Sequence, residues 1–218
     1  NISALADKQV LCTEGFAAHF KQPKPLRAGG VVIPVFSLRR ANGWGVGDFG
    51  DLKPLVDWAQ TTHQKAIQLL PVNDTTLTHT WQDSYPYNAE SVYALHPLYV
   101  NADALPAAQD EAAKTFEEKR AALNALPQVD YEQALQLKLE RLHHAYKTEG
   151  QQVLASAEFR QFFTANVHWL PAYAMYCVLR DAYHTADFTT WPQHAKFSYD
   201  DLVAFCAPTS DTYPFVCF

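Results

Sequence analysis

The fold is decided by a short apolar run, Ala66-Ile67-Gln68-Leu69-Leu70-Pro71-Val72, which is typical of a buried strand. An earlier run, Val31-Val32-Ile33-Pro34-Val35-Phe36-Ser37-Leu38, is nearly continuously apolar, as in a strand covered on both faces. Pro34 lacks a backbone N–H, so it fits only an edge or a bulge of a sheet. Between the runs, apolar residues recur at helical spacing: Leu52, Leu55, Val56 and Ala59. This order predicts a βαβ unit with parallel strands and a helix ending near Thr62.

A glycine-rich loop precedes this helix. It reads Asn42-Gly43-Trp44-Gly45-Val46-Gly47-Asp48-Phe49-Gly50-Asp51, and we expect Asp51 to be the helix N-cap. The pattern G-W-G-V-G-D is neither a dinucleotide fingerprint nor a phosphate loop, and no lysine stands at the helix start. Asp48 and Asp51 would also repel a phosphate. We therefore reject nucleotide binding and expect Trp44 to pack and fix the loop.

The rest of the chain becomes helical in composition. A third apolar piece, Leu95–Val100, is a weak strand candidate that ends the α/β part. Four helices are then predicted: Glu111–Leu126, Tyr131–Lys147 with a stop at Gly150, Ser156–His168, and one starting at Trp169. A closed (β/α)8 barrel needs eight strands and about 250 residues, so this chain cannot complete one. It is either a compact α/β domain with a helical subdomain or the front part of something larger.

Four segments are expected along the chain. Residues 1–28 are interpreted as a leader, in which Gln9–Cys12 ends a preceding module and Lys21–Leu26 is a linker. Residues 29–103 form the first βαβ part and residues 104–207 the helical subdomain. Residues 208–218 return toward the α/β part. The first residue is Asn rather than Met, which we interpret as a start cut from a longer protein.

The composition argues against some classes of binding partner. The 218 residues are 48% hydrophobic and 18% charged, which indicates a globular chain. The net charge is −6 with no basic cluster, which argues against nucleic acid and anionic membranes as partners. No apolar run approaches the length of a membrane span. Aromatic residues reach 13%, a high value for rings that either fill a core or line a binding surface.

The cysteines show no close pair of the metal-binding or redox kind: they are Cys12, Cys177, Cys206 and Cys217. We expect reduced thiols in a cytoplasmic protein. A disulfide between Cys206 and Cys217 stays an open alternative, because a loop-like segment separates the two.

The strongest functional signal is Trp81-Gln82-Asp83-Ser84-Tyr85-Pro86-Tyr87-Asn88, which we name the ring loop. It follows the second strand, and barrel enzymes place their sites where strands end. Aromatic faces with polar edges suit a sugar ring, which has an apolar face and a polar rim. The alternative is a proline-stiffened turn whose tyrosines cap a core.

Five motifs in register resemble the 4-α-glucanotransferases (amylomaltases or disproportionating enzymes). They are Val31–Leu38, Trp44–Asp48, Gln68–Thr75, Asp83–Tyr87 and Leu95–Tyr99. The segments Ile33–Leu38 and Trp81 resemble the branch that carries starch-binding modules ahead of the catalytic barrel. Residues 1–28 would then be the exit from such a module. Asn166–Ala174 and Trp191-Pro192 resemble the family's helical subdomain.

The resemblance implies a fold and an activity. The fold would be α/β, a partial TIM-type (β/α)8 barrel with only the first strands and an inserted helical subdomain. The activity would be transfer of α-1,4-glucan segments between maltooligosaccharides with retention of configuration, using a carboxylate nucleophile and an acid/base. No metal or organic cofactor is implied. The family's three reacting acids belong to later strands, so we expect no catalytic residue here and an inactive 218-residue chain.

The resemblance also implies substrate contacts. Tyr87 matches the family tyrosine that stacks on the sugar next to the cleaved bond, and Ser84, Tyr85 and Asn88 flank it. Trp81 sits where the family often has an aromatic residue that holds a distant glucan turn. Asp83 is a candidate for positioning the substrate. The alternative is that it is only the hydrogen-bond partner of a Ser or a backbone N–H.

Other polar residues are given structural interpretations. We expect Asp74 to form an Asx turn and His96 to be a hydrogen-bonded structural histidine. His143 and His144 are expected to be solvated on a helix face. No paired metal site is expected there, because adjacent positions on a helix do not share a face.

Three hypotheses remain open. The chain is the front part of a glucan-transferring barrel enzyme, a non-catalytic α-glucan-binding module, or an unrelated α/β regulatory or assembly domain. An open partial barrel leaves strand edges unpaired, so self-association through that face is also expected as one outcome.

Overall fold

The computed structural model describes residues 10–13, 16–19, 28–206 and 212–218. The segments Val10–Thr13 (β1) and Phe16–His19 (β2) form an antiparallel pair. β1 overlaps the strand predicted at Gln9–Cys12. The predicted linker at Lys21–Leu26 lies outside the described residues.

The predicted βαβ unit is confirmed. Gly30–Ile33 (β3) and Ala66–Leu69 (β4) pair in parallel, and Leu52–Thr61 (α1) connects them. The register places Gly30 opposite Ala66, so the two strands begin and end together. Both ends therefore point the following loops toward the same edge of the sheet.

Both strands are shorter than predicted because proline follows each of them. Pro34 interrupts the first apolar run, and the chain turns there into a 3-10 helix at Val35–Ser37. Pro71 follows β4 by two residues. A proline gives no donor to a strand ladder, so apolar character continues past the point where pairing stops.

The third predicted strand is wrong. Leu95 makes only an isolated bridge with Asn73, and Pro97–Tyr99 is a 3-10 helix. His96 caps it by accepting a hydrogen bond from the N–H of Leu98. The parallel sheet of the described residues therefore has two strands, and two strands do not by themselves define a barrel.

The helical part is confirmed in its broad extent. It consists of Glu111–Ala125 (α2), Tyr131–Leu154 (α3), Ala157–Asn166 (α4), Leu170–Tyr183 (α5), Tyr199–Phe205 (α6) and Thr212–Cys217 (α7). Four of these helices start after a side chain that accepts a hydrogen bond from the first turn: Asp110, Asp130, Ser156 and Ser198. Each cap satisfies a backbone N–H that has no partner inside the helix.

The predicted helix stop at Gly150 is wrong, because α3 continues to Leu154. A Cβ atom at Gly150 would lie 2.4 Å from Cδ2 of Tyr146. The glycine therefore makes room for an aromatic ring one turn back along the helix, and it does not act as a C-cap.

The glycine-rich loop is fixed by a capping box in which Asp48 caps the 3-10 turn Phe49–Asp51. Asp51 stands at the N-cap position of α1, as predicted, but its side chain makes no capping bond to that helix. The carboxylate of Asp48 accepts from the N–H of Gly50 at 2.9 Å, and that of Asp51 accepts from the N–H of Asp48 at 2.8 Å. Gly47 is required by close approach, since a Cβ atom there would lie 2.1 Å from the carbonyl oxygen of Val35.

A buried ion pair joins this loop to α3. Nζ of Lys138 lies 2.9 Å from Oδ2 of Asp48 and also donates to the carbonyl oxygen of Val100 at 2.7 Å. The two charged side chains are 0% and 1% exposed. Burial lowers the pKa of Lys138, while the charge of Asp48 opposes that shift.

Trp44 packs as predicted. Its ring is buried in the main core, Nε1 donates to Oδ1 of Asp103 at 2.9 Å, and the guanidinium of Arg120 lies 5.0 Å from the ring centroid. The main core joins the loops after β3 and β4 to α2 and α3; its members include Val35, Val46, Leu98, Leu123 and Leu135. A second, smaller core lies against α5 and contains Met175, Leu179, Trp191 and Leu202.

The structure shows the thiol state of two cysteines in the described part of the chain. Cys177 and Cys206 are free thiols, so the alternative of a Cys206–Cys217 disulfide is excluded. Burial raises the pKa of Cys177 to about 12, which makes it an unreactive core residue. None of the helices in the described segments has the length and apolar character needed to cross a membrane.

Candidate functional site

The ring loop leaves its aromatic side chains in solvent. Trp81 is 67% exposed, Tyr85 62% and Tyr87 61%. The alternative in which the tyrosines cap a core is therefore excluded by the geometry. Ser84 and Asn88 are also exposed, so hydroxyl and amide groups lie next to the rings in the chain.

Tyr85 and Tyr87 form one pair. Their ring centroids are 5.5 Å apart with an interplanar angle of 56°, and a turn places the N–H of Asn88 3.2 Å from the carbonyl oxygen of Tyr85. The pair therefore presents one angled aromatic surface.

Trp81 belongs to a different place. With Ser84 it lines a cleft of about 760 Å³ whose other wall is the connection between α2 and α3, including Pro127, Gln128 and Val129. The backbone N–H of Trp81 donates to Oε1 of Glu132 at 2.9 Å, which ties the loop to the first turn of α3. Tyr85 and Tyr87 do not line this cleft. The exposed rings therefore form two neighbouring surfaces.

Asp83 is buried and braces the loop from inside. Its Oδ2 accepts from the N–H groups of Thr78 and His79 at 2.9 and 2.7 Å, and its Oδ1 accepts from the hydroxyl of Thr78 at 3.0 Å. The alternative of a backbone N–H partner is the geometry observed. This carboxylate faces its own loop and does not face solvent.

Asp74, ahead of the ring loop, braces the chain in the same way. Its Oδ1 accepts from the N–H and hydroxyl of Thr76 at 2.9 and 2.6 Å, so the predicted Asx turn is confirmed. Its Oδ2 accepts from the phenol of Tyr173 at 2.5 Å. Burial raises the pKa of Tyr173 above the ordinary tyrosine value, so the phenol keeps its proton and donates.

Helix α5 holds the loop through further contacts that the sequence pattern did not reveal. Nη1 of Arg180 donates to the carbonyl oxygen of Thr76 at 2.8 Å, and Oδ1 of Asp181 lies 2.9 Å from Nε2 of His79. One signal was available: Arg180 is the only basic residue of this helix, and with Asp181 it stands in a largely apolar sequence. A buried guanidinium needs acceptors nearby, and the loop supplies one.

The histidines singled out in the sequence, His96, His143 and His144, each contact a neighbouring side chain. His96 is buried and bonds the hydroxyl of Tyr131 at 2.6 Å, which confirms its structural interpretation. The expectation that both helical histidines are solvated holds for His143, which is exposed although it stacks on Phe215 with 3.6 Å between ring centroids. It is wrong for His144, which is largely buried and whose Nε2 lies 3.0 Å from Oδ2 of Asp110. In the described part of the chain no three His, Cys, Asp or Glu side chains come together as a metal site would require.

Fold and site together define a class: an α/β protein with a helical part that presents a rigid, exposed aromatic loop with polar edges. The chain belongs to the 4-alpha-glucanotransferase family, because the family's model matches residues 33–218. The hypothesis of an unrelated α/β regulatory domain is thereby excluded.

Relatives agree with this assignment. The chain is 40% identical to the 4-alpha-glucanotransferase DPE2 of Oryza sativa subsp. japonica over 89% of its own length and 20% of the relative's. It is 32% identical to the 4-alpha-glucanotransferase of Chlamydia pneumoniae over 75% of its own length and 31% of the relative's. It is 33% identical to that of Chlamydia caviae over 81% of its own length and 32% of the relative's. The chain therefore spans about a fifth to a third of the length of these relatives.

Proposed function

We propose that this chain is the glucan-contacting front part of a 4-α-glucanotransferase, which transfers α-1,4-glucan segments between maltooligosaccharides with retention of configuration. The observation that carries the proposal is the ring loop, whose three exposed rings are held by buried carboxylates. A rigid aromatic surface loses little conformational entropy when a sugar stacks on it.

Each site residue has a proposed part. Tyr87 stacks on a sugar ring beside the reacting bond, while Ser84, Tyr85 and Asn88 supply hydrogen bonds to sugar hydroxyls. Trp81 holds a more distant part of the glucan in its cleft. Asp83 keeps the rings in place without touching the sugar.

The reacting acids are proposed to lie outside these 218 residues. Asp74 and Asp83 stand at the mouth of β4, but both carboxylates are already used by loop N–H groups and by Tyr173. The chain's coverage of a fifth to a third of its relatives supports the same view. We therefore assign no catalytic residue, metal or organic cofactor to this chain.

The architecture proposed for this piece is a partial TIM-type barrel. Residues 1–28 form the exit from an upstream starch-binding module, 29–103 the first βαβ part, 104–207 the inserted helical subdomain, and 208–218 the return. The free thiols of Cys177 and Cys206 support a cytoplasmic location. Exposed Val32, Val56 and Trp58 on β3 and α1 support self-association through the open sheet, which analytical ultracentrifugation would detect.

Binding is tested by titrating the 218-residue chain with maltoheptaose and following tryptophan fluorescence. Replacing Tyr87 with Ala is expected to weaken binding by about tenfold, because one stacked ring is lost. Tyr199→Ala is the matched control, since Tyr199 is also an exposed tyrosine and lies on α6. An unchanged fluorescence at every maltoheptaose concentration would contradict the proposal.

Catalysis is tested separately by incubating the chain with maltotriose and looking for longer and shorter products. None are expected. Turnover by this chain alone would mean that the reacting acids have been misplaced.

The second candidate function is a non-catalytic α-glucan-binding module, which the same exposed rings would serve. The nucleotide sequence downstream of the Phe218 codon separates the two. Continuation into strands that carry Asp and Glu supports the enzyme, and a natural stop there supports the module.

A further inference from the structure

A second aromatic surface lies along α5, outside the ring loop and its cleft. It is a groove of about 440 Å³ lined by Glu90, Ser91, Trp169, Tyr173, Tyr176 and Phe188. Sequence reasoning assigned no function to any of these residues.

The aromatic rings of this groove lie next to one another. Trp169 and Tyr173 have centroids 6.2 Å apart, and Tyr173 and Tyr176 lie 6.1 Å apart with an interplanar angle of 29°. Tyr93 stacks on Trp169 at 5.5 Å and 14°. Phe188 also lines the groove and is 51% exposed. A row of ring faces with hydroxyls at its edge suits an extended chain of sugar rings.

The groove is rigid before any ligand arrives. The phenol of Tyr173 is held by Asp74, and Nε1 of Trp169 donates to Oδ1 of Asn166 at 2.8 Å. The backbone N–H of Glu90 donates to the carbonyl oxygen of Asp74 at 2.8 Å. The same aspartate therefore fixes the ring loop and one wall of the groove.

Glu90 gives the groove its polar partner. Within the described residues its carboxylate accepts one hydrogen bond, from the phenol of Tyr176, and that bond is long at 3.5 Å, so most of the acceptor capacity is available. Glu90 is exposed, and partial burial raises the pKa of its carboxyl while the hydrogen bond from Tyr176 opposes that shift. Sugar hydroxyls are donors of the required kind.

An organic cation is the competing ligand, since rings beside a carboxylate also bind ammonium groups. The guanidinium of Arg180 already lies 5.9 Å from the centroid of the Tyr176 ring. A second cation at this ring would be repelled by it, whereas a neutral sugar would not.

We propose that the groove of Glu90, Trp169, Tyr173, Tyr176 and Phe188 is an additional α-glucan-binding subsite. It rests on the proposed function and extends it to a second segment of the same glucan. Tyr87 and Glu90 are three residues apart, so their Cα atoms are separated by at most about 11 Å. One oligosaccharide can therefore contact both surfaces.

The experiment follows the indole N–H signals of the 218-residue chain by NMR during titration with maltoheptaose. Trp81 reports on the ring loop and Trp169 on the groove, and Trp→Phe variants assign the two signals. Both signals are expected to shift. A combined Glu90→Gln and Phe188→Ala variant is expected to lose the Trp169 shift, or to need about tenfold more sugar for it, while the Trp81 shift stays.

A matched control variant combines Glu117→Gln with Tyr199→Ala, which are exposed positions on α2 and α6. It is expected to behave as the unaltered chain. Thermal unfolding of every variant shows that a lost shift does not reflect a lost fold.

The outcomes separate the two proposals. A moving Trp81 signal beside a still Trp169 signal overturns the subsite and leaves the ring loop intact. A moving Trp169 signal beside a still Trp81 signal supports the subsite and contradicts the ring loop. An equal Trp169 shift with cellohexaose, or a shift with tetramethylammonium and none with maltoheptaose, overturns the α-glucan assignment.

Discussion

The glycine-rich loop after β3 and the ring loop after β4 each contain a buried aspartate, but the two aspartates have different effects on their loops. In the glycine-rich loop, the buried Asp48 pairs with the ammonium of Lys138, and Trp44 donates to Asp103 outside the loop, so the loop is drawn into the main core with its tryptophan. Asp83 in the ring loop and Asp74 ahead of it accept from N–H and hydroxyl groups of Thr76, Thr78 and His79, and Asp74 also accepts from the phenol of Tyr173. These bonds shape the loop without covering it, and its rings stay in solvent.

The lesson is that the partner of a buried carboxylate decides what its loop does. A cation on a distant helix ties the loop to the core and serves stability. Neutral N–H and hydroxyl donors hold a shape and leave the outer surface available. Variants of the contacts in these two loops should therefore separate stability from glucan binding.

The largest effect on stability is expected from Lys138→Ala. It leaves the charge of Asp48 buried and unpaired, which costs about 3–5 kcal/mol of unfolding free energy. Urea unfolding measures the change. The control is Lys119→Ala, whose pair with Glu140 is exposed and contributes under about 1 kcal/mol.

Should Lys138→Ala fail to fold, the double variant Asp48→Asn with Lys138→Met keeps the comparison testable. It removes both charges and is expected to recover part of the loss. If Lys138→Ala is as stable as the unaltered chain, the ion pair does not tie the glycine-rich loop to the core as described.

A middle-sized effect is expected from Asp83→Ala, with a loss of about 1–3 kcal/mol as buried N–H groups lose their acceptor. Maltoheptaose binding should weaken as well, because the rings lose their support. Asp57→Ala on the exposed side of α1 serves as the control. Full retention of binding would show that the ring loop does not need its inner brace.

A smaller effect depends on pH. Burial would raise the pKa of Asp103, but hydrogen bonds from Trp44 and Arg40 and the charge of Arg120 outweigh it, so this pKa lies below its usual value. A lowered folded-state pKa adds stability above the unfolded-state value of about 3.9, and that stability disappears as pH falls further. Asp103→Asn is expected to cost under about 1 kcal/mol at pH 7 and nothing extra at pH 2, measured by thermal unfolding. A gap that widens on acidification would contradict this.

The smallest effect on stability is expected from Tyr85→Ala. An exposed ring can be removed within about 0.5 kcal/mol of unfolding free energy. Maltoheptaose binding should nevertheless fall, because this ring forms the angled pair with Tyr87. A stability loss of the size expected for Asp83→Ala would show that the ring supports the fold.

Sequence reasoning succeeded where local chemistry acts alone and failed where packing intervenes. The βαβ unit, the helical part, the Asx turn of Asp74 and the packing of Trp44 followed from patterns within short segments. The strand at Leu95–Val100 was wrong because Pro97 and the cap of His96 make a 3-10 turn of an apolar run. The stop at Gly150 was wrong because that glycine accommodates the ring of Tyr146.

The amino-acid order by itself determined that a strand, a helix and a strand precede a helical region, and that rings, a hydroxyl and an amide follow the second strand. Tertiary structure alone decided that those rings face solvent. It also brought Tyr173 and Arg180, about a hundred residues away, against Asp74 and Thr76. The physical reason is that a buried charge or carboxylate takes the donors that packing places beside it, and no local pattern encodes those distant partners.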